Sequence, residues 1–341
     1  MTGTWPLGVA VAVFCVAAAV TVAGSFRLAA LGDELADRTG WGEAFFGAVF
    51  FGLITSLSGI VMTAVAAADG HPELAYSNAV GGIAVQTLAI VAADAAYGRA
   101  NLEHAAASTQ NLLFGCLLIV LLSTALLASF SPDATVAGVH PASLVMIGLY
   151  LGGLHLIRGQ KQPMWRVVST RDTREDRPDR HGGSGERSDA SMWADFAACA
   201  AIVMAGGWAV ARAGESLVAA TGLGAGFVGG VFMGLVNALP ETVTAIAAVR
   251  RGALTLAVAA IIGGNSLDAL NLVIGDIAFR DGSLFHAGGT DQLFLTAAAL
   301  LMTAVLLGGL LVRQRYGWLR LGFDGVLLTL VYLGVVVTLA F

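Results

Sequence analysis

A shift of 182 residues lays the first half of this sequence over the second without a gap. Gly32 falls on Gly214, Leu35 on Leu217, and Thr39-Gly40 on Thr221-Gly222. Gly47, Val49, Phe50, Gly52 and Leu53 fall on Gly229, Val231, Phe232, Gly234 and Leu235. Gly70 falls on Gly252, and Gly81-Gly82 on Gly263-Gly264. From 32 to 88, 20 of 57 positions are identical, and the glycines keep one register, which Ala- and Gly-rich composition alone does not produce. The register persists to Gln110/Gln292 and Tyr150/Tyr332. The two copies therefore share a backbone plan, and any account of the chain has to fold it twice.

That plan is a membrane one. The chain is 57% apolar and 12% charged, with mean hydropathy +0.80. A soluble domain carries about 25% charge. Apolar runs lie at about 6–24, 43–69, 73–97, 109–130, 139–158, 193–212, 223–249, 254–278, 291–312 and 322–341. Runs of this length read as transmembrane helices. Each copy holds five, and an odd number makes the second copy enter the membrane from the opposite side. The predicted fold is all-α: a polytopic membrane protein of about ten transmembrane helices in two inverted five-helix repeats. The first repeat is residues 1–158, the second 193–341, and a polar linker, 159–192, joins them.

The linker carries seven of the 18 Lys and Arg residues and the run Gly182-Gly183-Ser184-Gly185, as a flexible solvated loop does. With ten spans and this loop in the cytoplasm, 16 of the 18 Lys and Arg residues fall inside, and only Arg212 and Arg280 outside. This asymmetry predicts a plasma (inner) membrane protein with both termini outside. No basic residue precedes the first run, so it reads as a retained helix rather than a cleaved signal. Cys15, Cys116 and Cys199 fit no metal spacing and are predicted to be small buried hydrophobes.

Within the seventh run stands Asn237-Ala238-Leu239-Pro240-Glu241-Thr242. A carboxylate at that depth costs several kcal/mol unless paired, hydrated or protonated, so its default reading is functional. Pro240 has no N–H for the carbonyl of Val236, which predicts an interrupted helix with free carbonyls beside Glu241. Carbonyls and an acid together suit a cation. In the eighth run Asn265, Asp268 and Asn271 recur every third residue and form one polar stripe. Gly263-Gly264 before it predicts a close helix approach. In the first copy the matching positions are neutral: Gly59 for Glu241, Ser58 for Pro240, Gln86 for Asp268. Thr55 and Ser56 supply hydroxyls where the second copy has Asn237 and Ala238.

Leu239-Pro240-Glu241-Thr242-Val243-Thr244, followed by Gly263-Gly264-Asn265-Ser266-Leu267-Asp268, resembles the second signature repeat of the cation/calcium antiporter superfamily, which includes sodium/calcium and proton/calcium exchangers. Gly52 to Gly59 is similar to the first repeat with its Pro-Glu pair lost. The resemblance covers nearly the whole chain outside the linker. It implies secondary active transport by alternating access: Ca²⁺, or a related divalent cation, exchanged against H⁺ or Na⁺. It implies Glu241 and Asp268 as ion ligands, with Thr55, Ser56, Gln86, Asn237 and Asn265 as supporting positions. Small cations are then the partners, with the lipid bilayer, and no nucleic acid or cofactor is called for. Gly59 departs from the family pattern, since members usually carry a glutamate in each repeat. Two acids can neutralise one divalent ion, but several Na⁺ sites are harder to build, and a desolvated carboxyl takes up a proton readily when the metal leaves.

Two other readings stay open from the residues: a transporter of altered specificity, for a monovalent or another divalent ion, and a non-transporting ion-binding scaffold or sensor. Asp94 and Asp276 match under the same shift and read as hydrated span ends or as part of an ion path. Asp324 reads as a cap, and His155 as a packed or snorkelling side chain. The sequence has no phosphate-binding loop, no H-E-x-x-H and no nucleophile elbow, so neither an ATP-driven pump nor an enzyme is supported.

Overall fold

The computed structural model describes residues 4–39, 53–97, 100–106, 108–159, 189–315, 317 and 321–341. The glycine-rich start of the first signature segment, residues 47–52, and linker residues 160–188 lie outside them, as do Arg99, Trp165 and Trp318. The described residues are helical, without a β-sheet. In order they form α1 (Leu7–Thr39), α2 (Leu57–Ala68), α3 (Pro72–Tyr97), α4 (Leu102–Ala105), α5 (Thr109–Ala128), α6 (Pro141–Gly159) and α7 (Asp189–Thr221). There follow α8 (Ala225–Phe227), a π-helical segment (Val228–Met233), α9 (Gly234–Arg251), α10 (Leu254–Asp268), α11 (Asn271–Ala278), α12 (Leu284–Ala287), α13 (Thr290–Val312) and α14 (Phe323–Ala340).

Nine stretches among the described residues are long and apolar enough to cross a membrane. The tenth predicted span appears as the short apolar α2, preceded by helical residues 53–55 and a turn at Ser56. The spans differ in what surrounds them. In α3, 72% of the best apolar window is buried inside the protein, against 17% in α1. So α3 is a central helix and α1 a peripheral one that shows lipid most of its surface. Val16, Leu127, Leu144 and Leu156 point outward, where a bilayer takes the place of a core.

Glycines set the central crossing. A Cβ on Gly81 of α3 would strike the backbone of Gly230 in the π segment. One on Gly234 would come within 2.8 Å of the Gly81 carbonyl carbon. Small residues let two backbones touch where side chains would hold them apart. The π turn there widens the helix locally, a feature that recurs at functional sites.

Pseudo-symmetry survives in the hydrogen bonds. Asp94 accepts from Leu102 N at 2.6 Å, and Asp276 from Leu284 N at 3.0 Å. His104 Nδ1 meets the Arg313 carbonyl at 2.8 Å, and His286 Nε2 meets that of Ser131 at 2.7 Å. Each pair maps onto the other by the 182-residue shift. Asp94 and Asp276 are thus buried anchors for the short helices α4 and α12, not hydrated span ends; they are 3% and 0% exposed.

Several expectations are corrected. α9 runs unbroken through Pro240. The breaks lie at Ser56 in the first repeat and at Ala269–Leu270, between α10 and α11, in the second. No side chain or backbone comes within 4 Å of a Cβ built on Gly263, so that glycine makes no close approach. Cys15 and Cys116 are exposed on the apolar surface and Cys199 half-buried, because their helices are peripheral there. Asp324 is buried in the first turn of α14, where Gly322 holds the capping position. His155 is exposed on the outer surface of α6, which removes the packed reading and leaves the snorkelling one.

Candidate functional site

The seven residues singled out from sequence are all buried, none above 3% exposure: Thr55, Ser56, Gln86, Asn237, Glu241, Asn265 and Asp268. They come from four places. Thr55 and Ser56 stand at the break before α2, Gln86 at mid-length in α3, Asn237 and Glu241 on α9, and Asn265 and Asp268 at the end of α10. Each break matters locally. A helix end leaves backbone groups without intrahelical partners, and both ends here open toward polar side chains rather than lipid.

Asp268 is held by amides. Gln86 Nε2 donates to its Oδ2 at 2.6 Å, and Asn271 Nδ2 to its Oδ1 at 3.3 Å. Gln86 and Asp268 are the pseudo-symmetric pair, 182 residues apart, so the two repeats touch at their own equivalent positions. Ser56 and Asn237 also border Asp268. Asn265 turns aside and donates to Thr87 Oγ1 at 2.9 Å, leaving its own Oδ1 unpartnered.

Glu241 is different. Neither of its oxygens makes a hydrogen bond, and the groups that act on it are the Asp268 carboxylate and Thr55. Two carboxylates therefore face one another inside the bundle, and among the described residues no basic side chain is paired with either. Around them lie further unpartnered atoms: the hydroxyls of Ser56 and Ser58, Oε1 of Gln86, and both amide atoms of Asn237. Buried polar atoms in native proteins are almost always partnered. This concentration at one point is what a site for a transient polar guest looks like.

Asn237 also explains the missing acid of the first repeat. A Cβ on Gly59 would collide with Asn237 Oδ1, and one on Gly82 would lie 2.5 Å from its Nδ2. Sequence comparison of the halves could not show that the asparagine of one repeat fills the gap left by the glycine of the other. Two further residues join the site. Asn271, the third member of the α10 stripe, was visible in sequence as a period-three polar residue. Tyr150 of α6, which borders Asp268, carried no signal beyond its repeat partner Tyr332.

No group of three or more His, Cys, Asp or Glu placed to hold a metal occurs among the described residues. A cation at this point would rest on two carboxylates and complete its shell with neutral oxygens. Hard cations accept that mixture, since carbonyl, amide and hydroxyl oxygens all serve.

The wider comparisons agree with the architecture. The native structure of YfkE is similar over 98% of this chain and 93% of its own, with TM-score 0.68 and 16% identity. The H⁺/Ca²⁺ exchanger CAX is similar over 97% and 82%, with TM-score 0.66 and 14% identity. The sodium-calcium exchanger NCX_Mj is similar over 98% and 99%, with TM-score 0.57 and 16% identity. At these identities the likeness is one of fold. A search of curated proteins finds no match. The family model described as "Sodium/calcium exchanger protein" matches residues 9–157 and 191–341, both repeats. A multi-pass helical chain of two inverted repeats, broken at a buried polar centre and matched by that model along nearly all its length, is a member of the sodium/calcium exchanger family: a transporter, not an enzyme.

Proposed function

We propose that this chain is a secondary antiporter that moves Ca²⁺, or a related divalent cation, against H⁺ by alternating access. One observation carries the reading. Glu241 and Asp268 face each other, buried, with no basic side chain of the described residues between them and with unpartnered neutral oxygens around them. Two unit negative charges in such a place need two positive charges. One divalent ion supplies them, and so do two protons when the ion leaves. Exchange follows, because the empty, fully ionised site is the state the protein avoids. Glu241 and Asp268 would be the charged ligands, and Thr55, Ser56, Gln86, Asn237 and Asn265 the neutral ones.

Na⁺ as the counter-ion is the second possibility the fold relatives raise. The absent first-repeat acid argues against it, because two carboxylates leave no further charge for additional Na⁺ sites. The same absence supports the alternative of an altered cation preference, since Asn237 offers an amide where a carboxylate would otherwise stand. A plasma membrane location with both termini outside follows from the distribution of Lys and Arg.

The test is ⁴⁵Ca²⁺ flux into sealed proteoliposomes, under an imposed pH gradient and separately an imposed Na⁺ gradient, with Glu241→Gln beside the wild type. Flux driven by the pH gradient and lost in the variant supports the proposal. Flux that ignores pH and follows Na⁺ alone overturns the proton coupling. A folded protein that moves neither, but carries Mg²⁺, Mn²⁺ or a monovalent ion, replaces the calcium assignment. Glu241→Gln that gains thermal stability while no ion moves in the wild type points to a scaffold.

A further inference from the structure

A second pair of acids lies far from the first, on the face of the bundle where α6 ends and α7 begins. Glu103 of α4 and Asp324 of α14 are each 2% exposed, and their side chains are close enough to hydrogen-bond. Asp94 of α3 adds a third carboxylate nearby, already engaged by Leu102 N. Glu103 Oε2 and Asp324 Oδ2 have no hydrogen-bond partner. Asn101, 2% exposed, keeps its Nδ2 unpartnered, and a Cβ built on Gly322 would touch both that nitrogen and Asp324.

Pseudo-symmetry shows that the fold does not need these acids. Under the 182-residue shift Glu103 corresponds to Phe285 and Asp324 to Ala142, while Asp94, Leu102 and His104 correspond to Asp276, Leu284 and His286. The scaffold of the two ends is shared, and the acid pair is an addition at one end only. Two of the basic groups near it, His104 and Arg313, engage each other's carbonyls. His104 Nδ1 meets the Arg313 carbonyl, and Arg313 Nη2 donates to the carbonyl of His104 at 3.0 Å. Arg315, past the end of α13, gives its carbonyl to Asn101 N. Among the described residues no salt bridge reaches Glu103 or Asp324 from any of these.

We propose that Glu103 and Asp324 form a second cation site, outside the transport pathway, whose ligand is a single proton shared between the two carboxyls. Two buried carboxylates in contact resist ionising together, so the second proton leaves only at raised pH. A proton needs no coordination shell, and one proton makes one carboxyl the donor and the other the acceptor. The bond it completes ties α4 of the first repeat to α14 of the second. When the proton leaves, like charges meet and that junction loosens, so the site reads pH on the linker face independently of Glu241 and Asp268.

The sign follows from Glu103, which lies outside the membrane spans. Burial first, and then the Asp324 and Asp94 charges, push its carboxyl well above the usual glutamate range. An acid whose pKa is raised by folding contributes stability that is complete below its unfolded pKa. That contribution is lost as pH rises through the folded value. The experiment is thermal unfolding of the full-length protein in detergent across that range, with infrared detection of the protonated carboxylic C=O band. The variants are Glu103→Gln, and Glu103→Phe with Asp324→Ala, which copies the opposite end of the same protein. Wild type should lose Tm as pH rises, and both variants should lose less. Glu241→Gln should keep the linker-face part of the slope. In wild type a C=O band should disappear with rising pH, and Glu103→Gln should lack it. Equal pH slopes in wild type and both variants, or a band unchanged by Glu103→Gln, overturns the proposal. If the double variant fails to fold, the single variant and the infrared band still decide. A band and slope that respond to Mg²⁺ or Ca²⁺ at constant pH would replace the proton with a metal ion and also overturn it.

Discussion

The side chain of Asn237 occupies the volume in front of Gly59, so closely that a Cβ on Gly59 would collide with its Oδ1. One residue belongs to α9 of the second repeat and the other to α2 of the first. The glycine and the asparagine are therefore one structural choice, made across the pseudo-symmetry axis. Gly59→Glu by itself should fail, because it overpacks a closed site; such insertions cost about 1–3 kcal/mol. Combined with Asn237→Gly it should regain melting temperature and place a third carboxylate beside Glu241 and Asp268. The double variant is expected to bind Ca²⁺ more tightly than wild type, by calorimetry in detergent. A double variant no more stable than Gly59→Glu alone would show that the two positions are not coupled.

Gln86 is the strongest partner of Asp268, at 2.6 Å. A hydrogen bond to a charged group contributes about 1.5–3 kcal/mol. Gln86→Leu keeps the volume and removes both the donor and the unpartnered Oε1 that faces the site. We expect the protein to fold and the cation concentration for half-maximal flux to rise by about tenfold, the change that about 1.4 kcal/mol produces. Unchanged half-saturation would make Gln86 a packing residue.

The crossing of α3 with the π segment makes a separate prediction, about stability alone. Gly81→Ala puts a methyl into the backbone of Gly230, with nothing flexible to move aside. Gly263→Ala meets open space. Both glycines are helical and stand at equivalent positions of the two repeats. The first should lower the melting temperature by the overpacking cost, about 1–3 kcal/mol. The second should be neutral or slightly stabilising, since alanine is the better helix former. Size-exclusion profiles with thermal melts would separate the two.

Much of this was legible in sequence because it rests on one-dimensional patterns. Apolar length fixed the helical class, and the 182-residue register with an odd span count fixed the inverted repeat. Glu241 and Asp268 stood out because acids in apolar runs are costly. The break points were not legible. Pro240 breaks a ladder in principle, yet α9 absorbs it after a π turn that no residue pattern announced. The actual break at Ala269–Leu270 contains ordinary helix formers, and only the tertiary position of Asp268 and Asn271 distinguishes it. Glu103 and Asp324 lie far apart in sequence, the first between two apolar runs and the second at the start of one, so their contact was invisible. Gly81 and Gly263 had identical local sequence signals, and only packing assigns the close approach to one.

Asp94 and Asp276 show how far environment separates equivalent residues. Asp276 accepts from three donors: Leu284 N at 3.0 Å, His140 N at 2.8 Å and Ser143 Oγ at 2.7 Å. Asp94 accepts from Leu102 N and also meets the charges of Glu103 and Asp324. Asp276→Asn turns an amide N–H toward donors that both oxygens now satisfy, and should cost about 1–3 kcal/mol, the desolvation penalty of a buried group left without its partner. Asp94→Asn loses one charge-assisted bond but removes a negative charge from beside two others. We expect it to be much less destabilising, and its effect to shrink further as pH rises, because that is when Glu103 and Asp324 ionise and the charge at position 94 repels them most. Thermal melts of the two variants at low and high pH would show it. Equal losses at both positions, independent of pH, would mean that the acid pair at the linker face exerts no charge on Asp94 and that the two repeats are energetically as alike as their sequences.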